Sequence, residues 1–256
     1  MKSKLLKWTM RLTLLILLLF GLLVLIVLNP ALLYSTNTQI GKFTVYHNKA
    51  LPAGIKLRLT DADNIIVTSE FYDTNLKFDI CLNDGSPYPA LMEVFLGKAF
   101  ALGFTSNKIA LCGNTDFAAN TMKVNGRKWN LTQLIAHEAT HCLVFNELGF
   151  WKSNPVANNP LWKWEGYPEY VSRKHLNHLS LKQNITSLTE AIKKDKDQWG
   201  IILADSTIAP RTYFNYWNMM QYCMDVKKMT YQQVLSDTKS ESLIQSEMMI
   251  WYYPEE

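Results

Sequence analysis

Hydrophobic positions divide this chain into three stretches of different periodicity. In the first, Leu12 to Leu28 (LTLLILLLFGLLVLIVL), every position but Thr13 and Gly21 is apolar, and no charged residue occurs from Leu12 to Gly41. A helix over these residues has no polar stripe, so it is not an ordinary amphipathic surface helix. Seventeen residues span roughly 26 Å, and Ala31, Leu32 and Leu33 extend the apolar stretch toward the ~30 Å of a hydrocarbon core. The pattern predicts a membrane-spanning anchor over 12–33, with Trp8 and Tyr34 near the two interfaces. The following NPALLYSTNTQ offers no small-residue cleavage site and no lipobox cysteine, which favours a retained anchor over a removed leader.

From 39 to 130 the apolar positions alternate or cluster in short runs. QIGKFTVYH, GIKLRLT, LKFDICL and KIALCG read as strands, with helices between them at Thr60 to Tyr72 and Tyr88 to Leu102. Beyond Asn130 the helical period takes over. Asn130 is a cap with Gln133 three residues on, and the apolar run it opens closes at Gly149. Further helices are expected from Ser187 with Glu190 as a capping box, from Pro210 to Lys228, and from Glu241 to Trp251. Strands followed by helices predict an α+β fold. Its mixed sheet lobe is expected over about 36–130 and its mainly helical lobe over about 131–256, with one site between them.

Charge sharpens the anchor. The chain's 256 residues carry a formal charge of +4, and Lys2, Lys4, Lys7 and Arg11 account for all of it, leaving 22 basic and 22 acidic residues elsewhere. Basic residues flank the cytoplasmic end of a span. Residues 1–11 are therefore expected in the cytoplasm and residues from about 36 onward outside it, most simply at a bacterial cytoplasmic membrane. No basic stripe remains to neutralise phosphates, which argues against nucleic acid as a partner. Cys81, Cys112, Cys142 and Cys223 form no CxxC pair. Across a membrane they allow up to two disulfides, with Cys81 and Cys112 the first pair to test, or they are buried thiols. Asn130 and Asn184 head glycosylation sequons, although Asn130 has the better use as a cap.

The helix opening at Leu131 contains His137, Glu138, Ala139, Thr140 and His141, an HExxH run. Residues i and i+4 share a helix face, so the two imidazoles point at one location and can bind Zn2+ together. Glu138, rotated about 100° away, can reach a water there without becoming a ligand. A catalytic zinc also needs a third protein ligand. The compact HExxHxxGxxH arrangement is absent, since Val144 and Glu147 stand where Gly and His are required, and Glu147 lies on the wrong side of a continuous helix. The third ligand must come from a later segment.

HEATH followed by Trp162, Glu165, Gly166, Glu169 and Tyr170 resembles the gluzincin metallopeptidases, over about 40 residues from Asn130 to Tyr170. The resemblance implies a zincin-like fold, with Glu165 as third zinc ligand and Glu138 as general base. It also implies a Tyr on a later helix that stabilises the oxyanion, for which Tyr213, nine residues before Tyr222, is the best match and Tyr216 the second. KIALCG could serve as the edge strand bordering the cleft. One departure is Pro168, which lacks an N–H and so places Glu165 at or just before a helix start. Glu169, one turn on, is a second ligand candidate or a partner that orients a His. His47, His175 and His178 read as residues without a role in the site.

These residues lead to the expectation of a membrane-anchored, zinc-dependent peptidase acting on peptide or protein substrates. A zincin-like protein that binds metal without turnover, and a structural membrane protein with a chance HExxH, remain open alternatives.

Overall fold

The computed structural model describes residues 2–104, 107–174, 179–196 and 198–253. The chain is α+β: an apolar N-terminal helix, a mixed sheet, and a succession of helices.

Helix α1 (Lys2–Leu28) starts earlier than the apolar run and stops at Asn29–Pro30, where Pro cannot continue the ladder. Its stretch Leu6–Leu28 is long and apolar enough to cross a membrane, and it is exposed apart from its last turns, where Val27 packs against the domain. The extension through Ala31 to Leu33 expected of the span is instead a short 3-10 turn, Pro30–Leu32. Tyr34, expected at an interface, is buried in the domain and donates its hydroxyl hydrogen to Leu82 O at 2.8 Å.

The main sheet has strands β1 (Thr36–Ile40), β2 (Phe43–His47), β3 (Phe78–Cys81), β4 (Ala101–Phe104) and β5 (Lys108–Leu111), in the order β1-β2-β3-β5-β4. The β2–β3 and β3–β5 pairs are parallel, while β1 and β4 run antiparallel on the two edges. QIGKFTVYH is thus a hairpin rather than one strand, turning at Gly41 with φ +59°, a conformation glycine adopts without strain. GIKLRLT is not a strand. It is the first half of α2 (Ile55–Ile66), whose buried Ile55, Leu59, Ala62 and Ile66 keep a helical spacing while Leu57 faces solvent. The expected helix to Leu102 ends at Leu96: α3 (Tyr88–Leu96) stops at Gly97, and β4 follows. Consequently KIALCG is an inner strand, and the sheet edge is β4.

A small antiparallel sheet, β6 (Asn114–Asp116), β7 (Thr121–Val124) and β8 (Arg127–Asn130), leads into α4 (Leu131–Leu148). Asn130 caps α4 as expected, its side chain accepting from Gln133 N at 3.0 Å. Every residue of α4 from Leu131 to Val144 is buried. One side packs with α2 and the sheet around Phe43, Val45, Phe78, Ile80 and Ile109. Val144 instead joins the helical core around Trp162, Phe214 and Met219. A third apolar cluster, with Tyr34, Tyr88 and Met92, lies between α3 and the sheet's other face.

The later helices are α5 (Leu161–Trp164), α6 (Gly166–Arg173), α7 (Leu181–Lys194), α8 (Arg211–Gln221), α9 (Tyr231–Ser236) and α10 (Glu241–Tyr252). A hairpin of β9 (Gly200–Ile202) and β10 (Ile208–Pro210), not anticipated from the pattern, stands before α8. The capping box of α7 is Ser180 with Gln183, not Ser187 with Glu190, because Leu181, Ile185 and Leu188 extend the apolar face one turn upstream. Asn130 and Asn184 are both buried, which removes them as glycan acceptors. All four cysteines carry thiols, so the Cys81–Cys112 bridge is not formed. Burial pushes the Cys81 thiol well above its ordinary range, Cys112 to about 12 and Cys223 to about 11, which makes them poor nucleophiles.

Candidate metal centre

Three side chains bring one atom each to a common point. His137 and His141 project from the same face of α4. Glu165 sits at the junction of α5 and α6, in helical backbone geometry just before Gly166, where Pro168 falls in the first turn of α6 and its missing N–H leaves no bond unmade. His137 Nε2 lies 3.2 Å from His141 Nε2, and both are 3.3 Å from Glu165 Oε2. No other group of three or more His, Cys, Asp or Glu side chains among the described residues is gathered this way. Glu147 faces solvent further along α4, as its spacing requires.

The near-equilateral triangle tests whether a zinc ion fits. Ligands at 2.0–2.1 Å on a tetrahedron stand about 3.3–3.4 Å from one another. The three donors match that edge, and two imidazoles with one carboxylate form a recognised donor set for catalytic zinc. The donors fit the ion.

The carboxylates around the triangle favour positive charge on its imidazoles. Burial disfavours charge on His137, but hydrogen bonding and charge from Glu165 and Glu169 prevail and raise it to about 10. Burial likewise opposes ionisation of Glu165, and the His141 and His137 rings bring it well below the usual carboxylate range. An entering metal ion competes with the proton held on His137.

Around the triangle, the expected residues are close by. Glu169, one turn beyond Glu165 on α6, approaches His137 Nδ1 with Oε1 at 3.1 Å, while its Oε2 accepts from Arg173 Nε. A carboxylate on Nδ1 holds the N–H on that nitrogen and leaves Nε2 for a metal. Arg173, which the sequence did not mark, is 4% exposed and packs near the rings of Phe214 and Trp217. His175 and His178 themselves lie outside the described residues. His47 is far from the site in β2, hydrogen-bonded to Thr38 Oγ1 and Lys49 O.

Tyr213, on the first turn of α8, lines the cleft with its ring centroid 6.3 Å from that of His137. Burial, then the charges of Glu165, Glu169 and Glu138, raise its phenol far above the ordinary value, so it is a hydrogen-bond donor and not an anion. Tyr216 is buried behind it and Tyr222 packs against Trp251; neither lines the cleft.

Glu138 lies at the base of the cleft, its Oε2 accepting from Gly103 N of β4 at 2.6 Å. This contact was not legible in the sequence, where Gly103 looked like the residue after a helix. A Cβ at Gly103 would meet Glu138 O at 2.5 Å and Oε2 at 2.9 Å, so only glycine lets the edge strand approach α4 this closely. Gly103→Ala is expected to cost about 1–3 kcal/mol. Thermal unfolding should show this as a Tm lower by roughly 3–10 °C. Gly166 plays a similar part for Glu165: a Cβ there would stand 3.0 Å from Tyr216 O, so the glycine admits the close packing of α6 on α8. Trp164 also went unmarked; its ring lies 5.4 Å from that of His141 and walls the site.

Acid titration has a defined direction. Burial opposes ionisation of Glu169, but Arg173 and His137 bring it from 4.5 down to about 2. A carboxylate with a depressed folded value stabilises the fold fully above its unfolded value and loses that contribution as pH falls through the folded one. Chelator-treated protein is therefore expected to lose stability between about pH 4.5 and about pH 2. Glu169→Gln should show a shallower loss over that window, measured by circular dichroism against urea at each pH.

The cleft has a volume of about 770 Å³ and is lined by β4, α4, the α5–α6 junction and the start of α8, and on its far side by α3 and Val27 of α1. No protein-family model, curated protein or solved structure matches this chain.

Proposed function

We propose that this chain is a membrane-anchored, zinc-dependent peptidase of the gluzincin type, with a zincin-like arrangement of sheet edge and metal-bearing helix. The observation that carries the reading is the triangle of His137 Nε2, His141 Nε2 and Glu165 Oε2, whose 3.2–3.3 Å edges are those of a tetrahedral zinc's ligands. It is supported by a general-base candidate in the same cleft and by the edge strand β4 beside it.

His137, His141 and Glu165 would hold the ion. When bound, zinc supplies a Lewis acid that lowers the pKa of a water toward 7 and polarises a carbonyl. Glu138, steadied by Gly103 N–H, takes a proton from the water that attacks the peptide carbonyl and passes it to the leaving amine. Tyr213, protonated throughout the working range, donates to the oxygen on which negative charge develops. Glu169 and Arg173 keep His137 in the tautomer that presents Nε2. The outer edge of β4 offers main-chain groups to an extended substrate, and the β4 residue Gly103 contacts Glu138 directly.

Helix α1 is read as a retained anchor, with the N-terminus cytoplasmic and the domain beyond residue 36 outside. The contacts that fasten its last turn to the domain support retention, since Tyr88 Oη donates to Val27 O at 2.7 Å. Hydrolysis of a mixed peptide library by the purified full-length protein, abolished by a chelator and restored by one equivalent of Zn2+, is the direct test. Stoichiometric zinc without any turnover would instead identify a metal-binding scaffold.

A further inference from the structure

The far end of the cleft is bounded by the apolar N-terminal helix. Val27, in the last turn of α1, lines the same cavity as Met92, Phe95 and Leu96 of α3 and as His137 and Glu138 opposite them. The placement is held by hydrogen bonds rather than by a flexible tether. Besides the Tyr88–Val27 bond, Ser86 Oγ donates to Leu33 O at 2.9 Å and Tyr34 Oη to Leu82 O at 2.8 Å. All three fasten the segment leaving α1 to α3 and the adjoining end of the sheet.

The uncharged run Leu12–Leu28, which follows Arg11, makes a helix of roughly 26 Å, slightly less than the ~30 Å of hydrocarbon. Val27, one residue from its end, then stands within a few ångströms of the lipid boundary. At that level α3 presents three consecutive apolar side chains to solvent, Val94 at 79%, Phe95 at 47% and Leu96 at 48% exposure. A contiguous apolar patch of this kind marks an interaction site. Lys98 stands beside it on the cleft wall, and Trp199, also on that wall, meets Trp129 edge-on with the Arg127 guanidinium 4.1 Å from the Trp199 ring. Aromatic and basic side chains together are the usual occupants of the headgroup layer.

We propose that the mouth of the cleft is seated on the bilayer, with Val94, Phe95 and Leu96 in lipid beside α1. Its substrate is a peptide segment that emerges from the same membrane, the juxtamembrane stretch of a membrane-embedded protein. This rests on α1 being a retained anchor and on the site being a peptidase. A substrate confined to the same surface meets the cleft at a high effective concentration, whereas a bulky soluble protein must compete with the bilayer for the mouth.

The test uses the full chain in proteoliposomes. An NBD fluorophore is placed at Phe95→Cys in a Cys112→Ser background, Cys112 being the one cysteine that is not buried, and the control label is Lys193→Cys at the exposed end of α7. Lipids carrying doxyl quenchers are expected to quench the label at 95 at least twofold more than the label at 193; equal quenching overturns the seating. In the same vesicles one peptide sequence is offered either free or joined to a transmembrane helix. The tethered form is expected to be cleaved at least tenfold faster, with Val94→Asp lowering that ratio, and equal rates overturn the substrate assignment. Selective quenching with neither peptide cleaved would uphold the seating and overturn the peptidase reading instead. Cleavage of the free peptide without selective quenching would do the reverse.

Discussion

Glu138→Gln is expected to bind one equivalent of zinc and to hydrolyse peptides at least about 10²–10⁴-fold more slowly than the parent chain. The amide is close in size to the carboxylate, and its oxygen can still accept from Gly103 N, so the packing of β4 on α4 is kept. What it cannot do is take a proton from water. Glu138 is absent from the triangle of donor atoms, so metal content should not change. Elemental analysis and steady-state rates on the same preparation make the check. Full activity would remove Glu138 from the mechanism, and loss of zinc would show that it holds the site together instead.

The second large effect is expected from Glu165→Ala. Substitutions that act only through a ligand's neighbour lower metal affinity about 10–100-fold, so removing a ligand should lower it by more than about 100-fold. The backbone at 165 is right-handed helical, φ −88° and ψ −29°, which alanine adopts without strain, so the fold should persist. Two measurements read the result. Zinc recovered after gel filtration should fall well below one equivalent. In the parent chain, zinc at a thousand times its Kd should raise stability by about 4 kcal/mol, and this gain should vanish in the variant. A variant that kept stoichiometric zinc would transfer the third position to another group, for which Glu169, beside His137, is the candidate.

Local pattern reported local structure well. Asn130 and Gln133 marked the start of α4, and the uncharged run around HEATH announced a helix buried on all sides. Pro168 correctly placed Glu165 at a helix start, because a missing N–H is tolerated only there. The failures share a cause. GIKLRLT alternates as a strand would, yet Ile55 and Leu59 also satisfy a helical period, and only packing on α4 decides between the two. The helix expected to reach Leu102 was cut at Gly97 by sheet pairing, since β4 exists only through its bonds to β5. Tyr34 looked like an interfacial ring until its hydroxyl found Leu82 O across 48 residues.

By itself, then, the sequence determined the local pattern on which the proposed chemistry rests. HExxH spacing on a helix forces two imidazoles onto one face, and the EG dipeptide behind Trp162 supplied a third donor by resemblance. An unbroken apolar run made a helix long enough to cross a membrane. Tertiary structure decided everything that depends on distant backbone meeting backbone. It converged the three donors to 3.2–3.3 Å, set Gly103 against Glu138, buried Arg173 behind Glu169, and laid the end of α1 along the wall of the cleft. Periodicity encodes which face of an element is apolar. Which other face it meets is settled by packing of the whole chain, and that is where the site acquires its geometry.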